Sequence, residues 1–233
     1  MSKNIDTSFD VRSDSGGKDP DQHSATLRGY HQLLWSKPLP NGTEFDLDVA
    51  TPSVYLHHKS ELGEFELSSD SIVHPYDYWM RTADLIKQIP QGDLDEFNNI
   101  GSTIGAYLVF PSNPIAGGQT INMARGRSRK IDDRIDLTLE CIRRHYEGEE
   151  SPLASTLALY PEFFSLFGDF DQYADFFLLQ DLVSDDAAVK FFLPFEDFVT
   201  PSLPGTVEEY QSYRAQVTSF VAARNNRINA LFG

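Results

Sequence analysis

Residues 125–146 read RGRSRKIDDRIDLTLECIRRHY and hold seven of the nineteen Lys and Arg residues of a chain whose formal charge is −16. A cation cluster in so acidic a protein needs counter-charge, from its own carboxylates or from an anion outside. Arg125, Arg127, Arg129 and Lys130 precede a helix predicted to open near Ile131, and Arg134 follows within its first turn. A helix N-terminus offers free N–H groups and a partial positive charge, and guanidinium forks grip phosphate oxygens in pairs. Gly126 would let the backbone approach such a ligand closely. Against a phosphate stand Asp132 and Asp133, which themselves complement the helix dipole. The structural alternative pairs the arginines with the acidic stretch at 147–209. Gly117-Gly118 lacks the Gly-Lys-Ser/Thr ending of a P-loop, so nucleotide binding of that kind is not implied.

A second group lies near the N-terminus: Asp14, Asp19, Asp21 and His23. Several oxygens from one compact loop suit Mg²⁺, Mn²⁺ or Ca²⁺, although the spacing is not that of an EF-hand. With the arginines as phosphate clamps, this set describes a metal-dependent hydrolase or nuclease. The structural alternative is a solvated loop whose Asp side chains bond their own backbone. His57 and His58 are adjacent on or beside a strand and point to opposite faces, and no spacing suits structural zinc. Cys141 and His145, at i and i+4, could form a thiolate dyad. A mid-helix position beside Glu140 instead predicts a plain half-buried cysteine. The phenylalanines between 163 and 177 recur at helical spacing without interleaved Lys or Arg, which predicts core rather than a stacking platform for bases.

These groups must be held by a fold. A chain of 233 residues, 40% hydrophobic, with seventeen Phe and ten Tyr, can build a core without disulfide or metal. A single cysteine points to a reducing compartment. The first residues contain no apolar run and no segment reaches the ~20 apolar residues of a membrane span, so a cytoplasmic location without membrane association is expected. Charge is patterned: residues 147–209 carry fourteen acids and only Lys190 as a base, whereas residues 210–233 carry three arginines and no acid.

Periodicity predicts a helix over 25–35, alternating strands at 45–49 and 64–67 with 54–56 between them, a helix over 78–89, and a short helix over 94–100 capped by Asp93. A buried strand at 106–110 and a Pro-, Asn- and Gly-rich loop at 111–118 follow. Ile131, Ile135, Leu139, Ile142 and Tyr146 share one helical face that Gly148 ends. Beyond it lie an aromatic helical stretch from 151, a strand at 189–193, and a last helix opened by the capping box Thr206-Val207-Glu208-Glu209. The fold class expected is α+β: a small antiparallel sheet from the N-terminal half packed against helices mostly from the C-terminal half. Residues 1–24 would be a polar arm or ordered loop, and residues 25–233 one domain.

The phrases YHQLLWSKPLPNG (30–42), DRIDLTLECIRRHY (133–146) and FFLLQDLV (176–183) are similar to those of an uncharacterised family of bacterial proteins of about this length, classed as a domain of unknown function. The resemblance covers nearly the whole chain. It implies a stand-alone intracellular bacterial protein and brings no activity or site residue with it.

Three functions follow as expectations. The first is a cytosolic protein binding a phosphate-bearing small molecule, nucleic acid or partner protein at Arg125, Arg127, Arg129 and Arg134, without a cofactor. The second is the metal-dependent hydrolase. The third is an acidic protein docking a basic partner through residues 147–209, which requires those carboxylates to be exposed and unpaired.

Overall fold

The computed structural model describes residues 4–49, 56–113 and 118–232. The expected strand residues Val54 and Tyr55, and residues 114–117 of the predicted loop, lie outside them. Among the described residues are ten helices: α1 (Pro20–His23), α2 (Ala25–Trp35), α3 (Ala83–Ile86), α4 (Gln91–Ile100), α5 (Ile121–Arg127), α6 (Ile135–Glu147), α7 (Ala154–Leu157), α8 (Pro161–Ser165), α9 (Phe170–Phe176) and α10 (Val207–Phe232). Strands β1 (Lys37–Pro38) and β2 (Glu44–Phe45) form a two-stranded ribbon. Strands β3 (Asp48–Val49), β4 (Leu56–Ser60), β5 (Gly63–Ser71) and β6 (Tyr107–Pro111) form an antiparallel sheet in that order. The fold is α+β.

The sheet is short except at β5, which pairs along its second half with β6, from Leu67 opposite Pro111 to Ser71 opposite Tyr107. All five β6 residues are buried, as its unbroken apolar run predicts. The strand expected over 45–49 is broken in the middle. Leu47 gives its carbonyl to Gln32 (2.8 Å) and its N–H to the Ser36 hydroxyl (2.9 Å), so helix α2 and its cap hold it instead of a neighbouring strand. Ser24 caps α2 by accepting from the Leu27 N–H at 3.0 Å.

Of the helix expected over 78–89, only the single turn of α3 forms. Tyr76 stands in the left-handed region (φ 56°), and the Thr82 hydroxyl donates to the carbonyls of Tyr76 (2.6 Å) and Trp79 (3.1 Å). Those bonds stabilise a turn where a helix would have begun. Helix α4 starts three residues before Leu94, so Asp93 lies in its first turn and does not cap it. The expected strand at 189–193 amounts to one bridge, Val183 to Val189.

The basic stretch departs furthest from expectation. Arg125 and Arg127 end helix α5, and a turn over 128–134 separates it from α6, which opens at Ile135 rather than Ile131. Helix α6 ends as its sequence predicts. Gly148 adopts φ 72°, and the Glu149 N–H returns to the Arg144 carbonyl at 2.8 Å.

Three short helices, α7 to α9, pack the aromatic side chains. Phe163, Phe167, Tyr173, Phe176 and Phe177 are all buried, with neighbouring rings such as Tyr173–Phe177 4.8 Å apart. Helix α10 then crosses the far side. Its Arg224 is fully buried and has no carboxylate partner among the described residues. It donates to the carbonyls of Gly105 (2.9 Å), Tyr107 (2.7 Å) and Phe177 (3.1 Å), and burial pulls its pKa down to about 9. Beside it, Asn225 accepts from the Gly105 N–H at 2.9 Å and donates to Thr103 at 2.9 Å.

Candidate functional site

A cleft of about 500 Å³ opens where the end of β5 meets the N-terminal segment, the end of α4 and the turn before α6. Five aspartates line it: Asp19, Asp21, Asp70, Asp77 and Asp133. They come from four places in the chain, Asp19 and Asp21 sharing one turn.

Asp21 comes from the one-turn helix α1. Asp19 caps that turn by accepting from the Asp21 N–H at 3.1 Å, and Pro20 presets its first residue. The turn lays the Asp21 carboxyl against β5, where the Ser69 hydroxyl donates to Oδ1 at 2.6 Å. Burial pushes this carboxyl up to about 6, and the Ser69 hydrogen bond only partly opposes it. Asp70 is one residue further along β5 and forms an ion pair with Arg125 of α5. Burial raises its pKa well above the usual carboxylate range. Arg125 pulls the other way, and Asp21 and Asp133 add repulsion.

Asp133 stands in the turn between α5 and α6, where Asp132 and Asp133 both adopt left-handed backbone (φ 46° and 59°). Such positions are costly without glycine, and surrounding bonds must hold them. Here the Asp132 carbonyl accepts from the buried Tyr76 hydroxyl at 2.8 Å, and the Asp133 carbonyl accepts from Arg125 at 2.8 Å. The Asp132 carboxylate accepts from Arg81 and from Ser202 (2.5 Å). The Asp133 carboxylate packs over Gly126, where a Cβ would come within 3.2 Å of it. It has no ion-pair or hydrogen-bond partner among the described residues, and burial raises its pKa.

The rest of the wall is aromatic and polar. Tyr107, only 5% exposed, turns its side chain to the cleft, and its hydroxyl bonds to no described residue. His74 accepts from the Tyr76 N–H on Nδ1 (3.3 Å), so Nε2 carries the proton and donates to Tyr78 Oη at 2.7 Å. Burial lowers the His74 pKa to about 4, which leaves it neutral near pH 7. Asp77 accepts from Asn98 at 3.1 Å. The guanidinium groups at this site are already engaged. Arg12 clasps Asp10 (2.7 Å), and Arg125 binds Asp70, Thr138 (2.9 Å) and the Asp133 carbonyl.

The four expected anion-binding arginines do not share a surface. Arg125 (0% exposed) and Arg134 (2%) are interior, and Arg134 binds Asp136 and the Ser202 carbonyl (2.9 Å). Arg127 and Arg129 are exposed, with Lys130 beside them. The helix N-terminus that was to complete a phosphate cradle is displaced to Ile135, behind Arg134. Nor does the 147–209 stretch neutralise Arg125 and Arg134, whose partners are Asp70 and Asp136. Its own acids are partly paired: Glu147 and Glu149 with Arg143, Asp181 with Arg227, Asp197 with Arg144.

The expected metal set is dispersed too. Asp14 accepts from the Ser24 hydroxyl (2.5 Å) and the Thr26 N–H (2.9 Å), Asp19 caps α1, and His23 lies by the Asp19 carbonyl (3.2 Å). Only Asp19 and Asp21 reach the cleft. Among the described residues no group of three or more His, Cys, Asp or Glu side chains is arranged to hold a metal ion. Cys141 is buried, with its thiol pushed up to about 12, and His145 packs on Phe164 (4.8 Å), so the pair is no nucleophilic dyad.

Asp70, His74 and Tyr107 escaped sequence reasoning. The available signal was the run Ser68-Ser69-Asp70-Ser71, a polar end to a strand whose other half buries Phe65 and Leu67.

A family model of unknown function, DUF6994, matches residues 5–228. The chain belongs to the DUF6994 family. The matched span takes in every residue of the cleft, so the site is carried by the DUF6994 domain itself. No curated protein and no solved structure gives a significant match. Among the described residues no helix is long and apolar enough to cross a membrane.

Proposed function

We propose that the protein binds a small organic cation, an amine, in the five-aspartate cleft. One observation carries this reading: five aspartates line the cleft against a single lining arginine, Arg12, which is committed to Asp10, while the nearby Arg125 is committed to Asp70, so carboxylates outnumber cations there and a ligand would supply positive charge. The unbonded Tyr107 hydroxyl and Asp133 carboxylate supply hydrogen-bonding groups that a ligand would satisfy. Their bonds would set its orientation. The volume suits a small molecule, and Tyr78 and His74 at the rim offer aromatic faces that attract cations. A bacterial, cytoplasmic setting belongs to the same proposal, in keeping with the lone buried thiol.

The test is thermal unfolding with putrescine and spermidine, with AMP and pyrophosphate as anionic controls. A ligand of the folded state adds about 2.7 kcal/mol of stability at a hundredfold excess over its dissociation constant. Both amines are expected to raise the melting temperature, and Asp133→Asn to blunt the rise. No shift from either amine at saturating concentrations refutes the proposal, as does an undiminished shift in Asp133→Asn.

A second reading keeps the anion. Arg127, Arg129 and Lys130 are exposed and have no ion-pair partner among the described residues. They could hold a phosphate-bearing molecule, nucleic acid or acidic partner on the turn between α5 and α6. A melting-temperature rise with pyrophosphate that vanishes in Arg127→Ser/Arg129→Ser would favour it.

A further inference from the structure

Behind the cleft, a directed chain of hydrogen bonds runs from the core to Asp21. The Trp35 indole N–H donates to His31 Nδ1 at 3.0 Å. Indole nitrogen is only a donor, so the neutral imidazole carries its proton on Nε2 and gives it to Ser69 Oγ at 3.0 Å. Ser69 then has its own proton for Asp21 Oδ1, at 2.6 Å. His31 and Trp35 are fully enclosed, and burial, reinforced by the Arg224 charge, lowers the His31 pKa to about 3, so the direction of the chain is fixed at every working pH.

We propose that Asp21 is the acceptor for the ligand's ammonium group, that Ser69 and His31 position it, and that amine binding displaces the proton Asp21 carries. This rests on the reading of the cleft as an amine site. The chain holds Oδ1 as an acceptor in both protonation states, which leaves Oδ2 for either a proton or an ammonium N–H. The exchange balances: protonated Asp21 and R–NH₃⁺ give the carboxylate–ammonium pair and one H⁺ released to solvent.

The groups around Asp21 come from every neighbouring element. Asp19 of its own turn and Asp70 of β5 repel its charge, and Arg125 of α5 attracts it. Tyr107 of β6 and Arg12 of the N-terminal segment share the cleft with it. On the inner side Arg28 and His31 of α2 line a small pocket with Asp21 and Ser69, and Arg28 Nε there has no hydrogen-bond partner among the described residues. Two donors of β5 favour the carboxylate: the Ser69 hydroxyl at 2.6 Å and, more weakly, the Ser71 backbone N–H, which also lowers the Asp21 pKa. Removing the Ser69 hydroxyl must make Asp21 harder to ionise.

Affinity should therefore rise as pH increases through about 6 and level off above it. Calorimetric titration of the full chain with putrescine, in buffers of different ionisation enthalpy, is expected to show proton release at pH 6 and little at pH 8.5. In Ser69→Ala the midpoint should move to higher pH. Binding then weakens severalfold at pH 6.5 and matches wild type at pH 8.5, and Ser69→Thr restores the wild-type profile. A merely structural loss would weaken binding equally at both pH values. Carboxyl ¹³C titration of the free proteins, with the Asp21 signal assigned from Asp21→Asn, reads the same midpoint without ligand. Amine binding without proton release, or an unmoved Asp21 midpoint in Ser69→Ala, overturns this inference and leaves the cleft reading standing. Absence of amine binding in wild type overturns both.

Discussion

Replacing Asp21 with Asn should make the protein more stable, and by an amount that depends on pH. The folded carboxyl titrates at about 6 against an ordinary value of 3.8, because burial disfavours its charge. The folded state thus holds this proton more tightly than the unfolded chain does. The resulting stability is fully present below pH 3.8 and is lost as pH rises through about 6. At pH 8 the ionised carboxylate accordingly costs up to about 3 kcal/mol, about 1.4 kcal/mol for each unit of displacement. Asn keeps the shape and an oxygen for Ser69 but has no charge to bury. Wild type and Asp21→Asn should differ by that amount at pH 8, or about 6–12 °C in melting temperature for a chain of this size. At pH 5 the difference should fall to about half. Urea unfolding followed by circular dichroism at both pH values measures it. An equal difference at the two pH values, or an Asn variant less stable at pH 8, would mean that the Asp21 carboxylate is well solvated. The hydrogen-bonded account of the cleft would then fail. A gain in stability alongside lost amine affinity is the pattern of a site maintained at the expense of the fold.

Other substitutions separate the interior arginines from the surface ones. Arg125→Met leaves Asp70 without its counter-charge and should cost about 3–5 kcal/mol in denaturant unfolding, and adding Asp70→Asn should recover part of the loss. Arg127→Ser, at the exposed end of α5, and Arg129→Ser, on the turn after it, should each change stability by less than about 0.5 kcal/mol. The Cys141 thiol, buried and pushed up to about 12, should ignore Ellman's reagent in the native protein at pH 8 and react fully once the chain is unfolded.

Elements with a long, regular apolar stripe were legible in the sequence. Helix α2, helix α6 with its Gly148 stop, strand β6 and the capping of α10 all follow from local pattern. In the last, Thr206 accepts from the Glu209 N–H (3.2 Å), while the Glu209 carboxylate reaches the Gly205 N–H (2.7 Å) instead of that of Thr206. Helix α5 was missed because its buried face is Ile121, Ala124 and Arg125, and an interior arginine erases the apolar signal. The same residue misled the functional reading. Its partner Asp70 is fifty-five positions away on a strand, and no local rule relates the two. The N-terminal aspartates lie close in sequence, but the structure divides them among separate partners. Asp14 and Asp19 serve turns, whereas Asp21 alone meets Ser69, forty-eight positions on. Pairings at such separation are set by how the layers stack, and periodicity along the chain does not encode them.

Arg224 and Asn225 have a consequence for how the polypeptide matures. Between them they satisfy peptide groups at Gly105, Tyr107 and Phe177, segments synthesised long before α10. During vectorial synthesis the nascent sheet and its aromatic layer therefore wait with unsaturated carbonyls and uncovered rings until residues 207–232 emerge. That interval is when a chaperone holding exposed apolar segments would matter most. A polypeptide cut before Arg224 should persist as a sticky, protease-sensitive species rather than as a smaller folded protein.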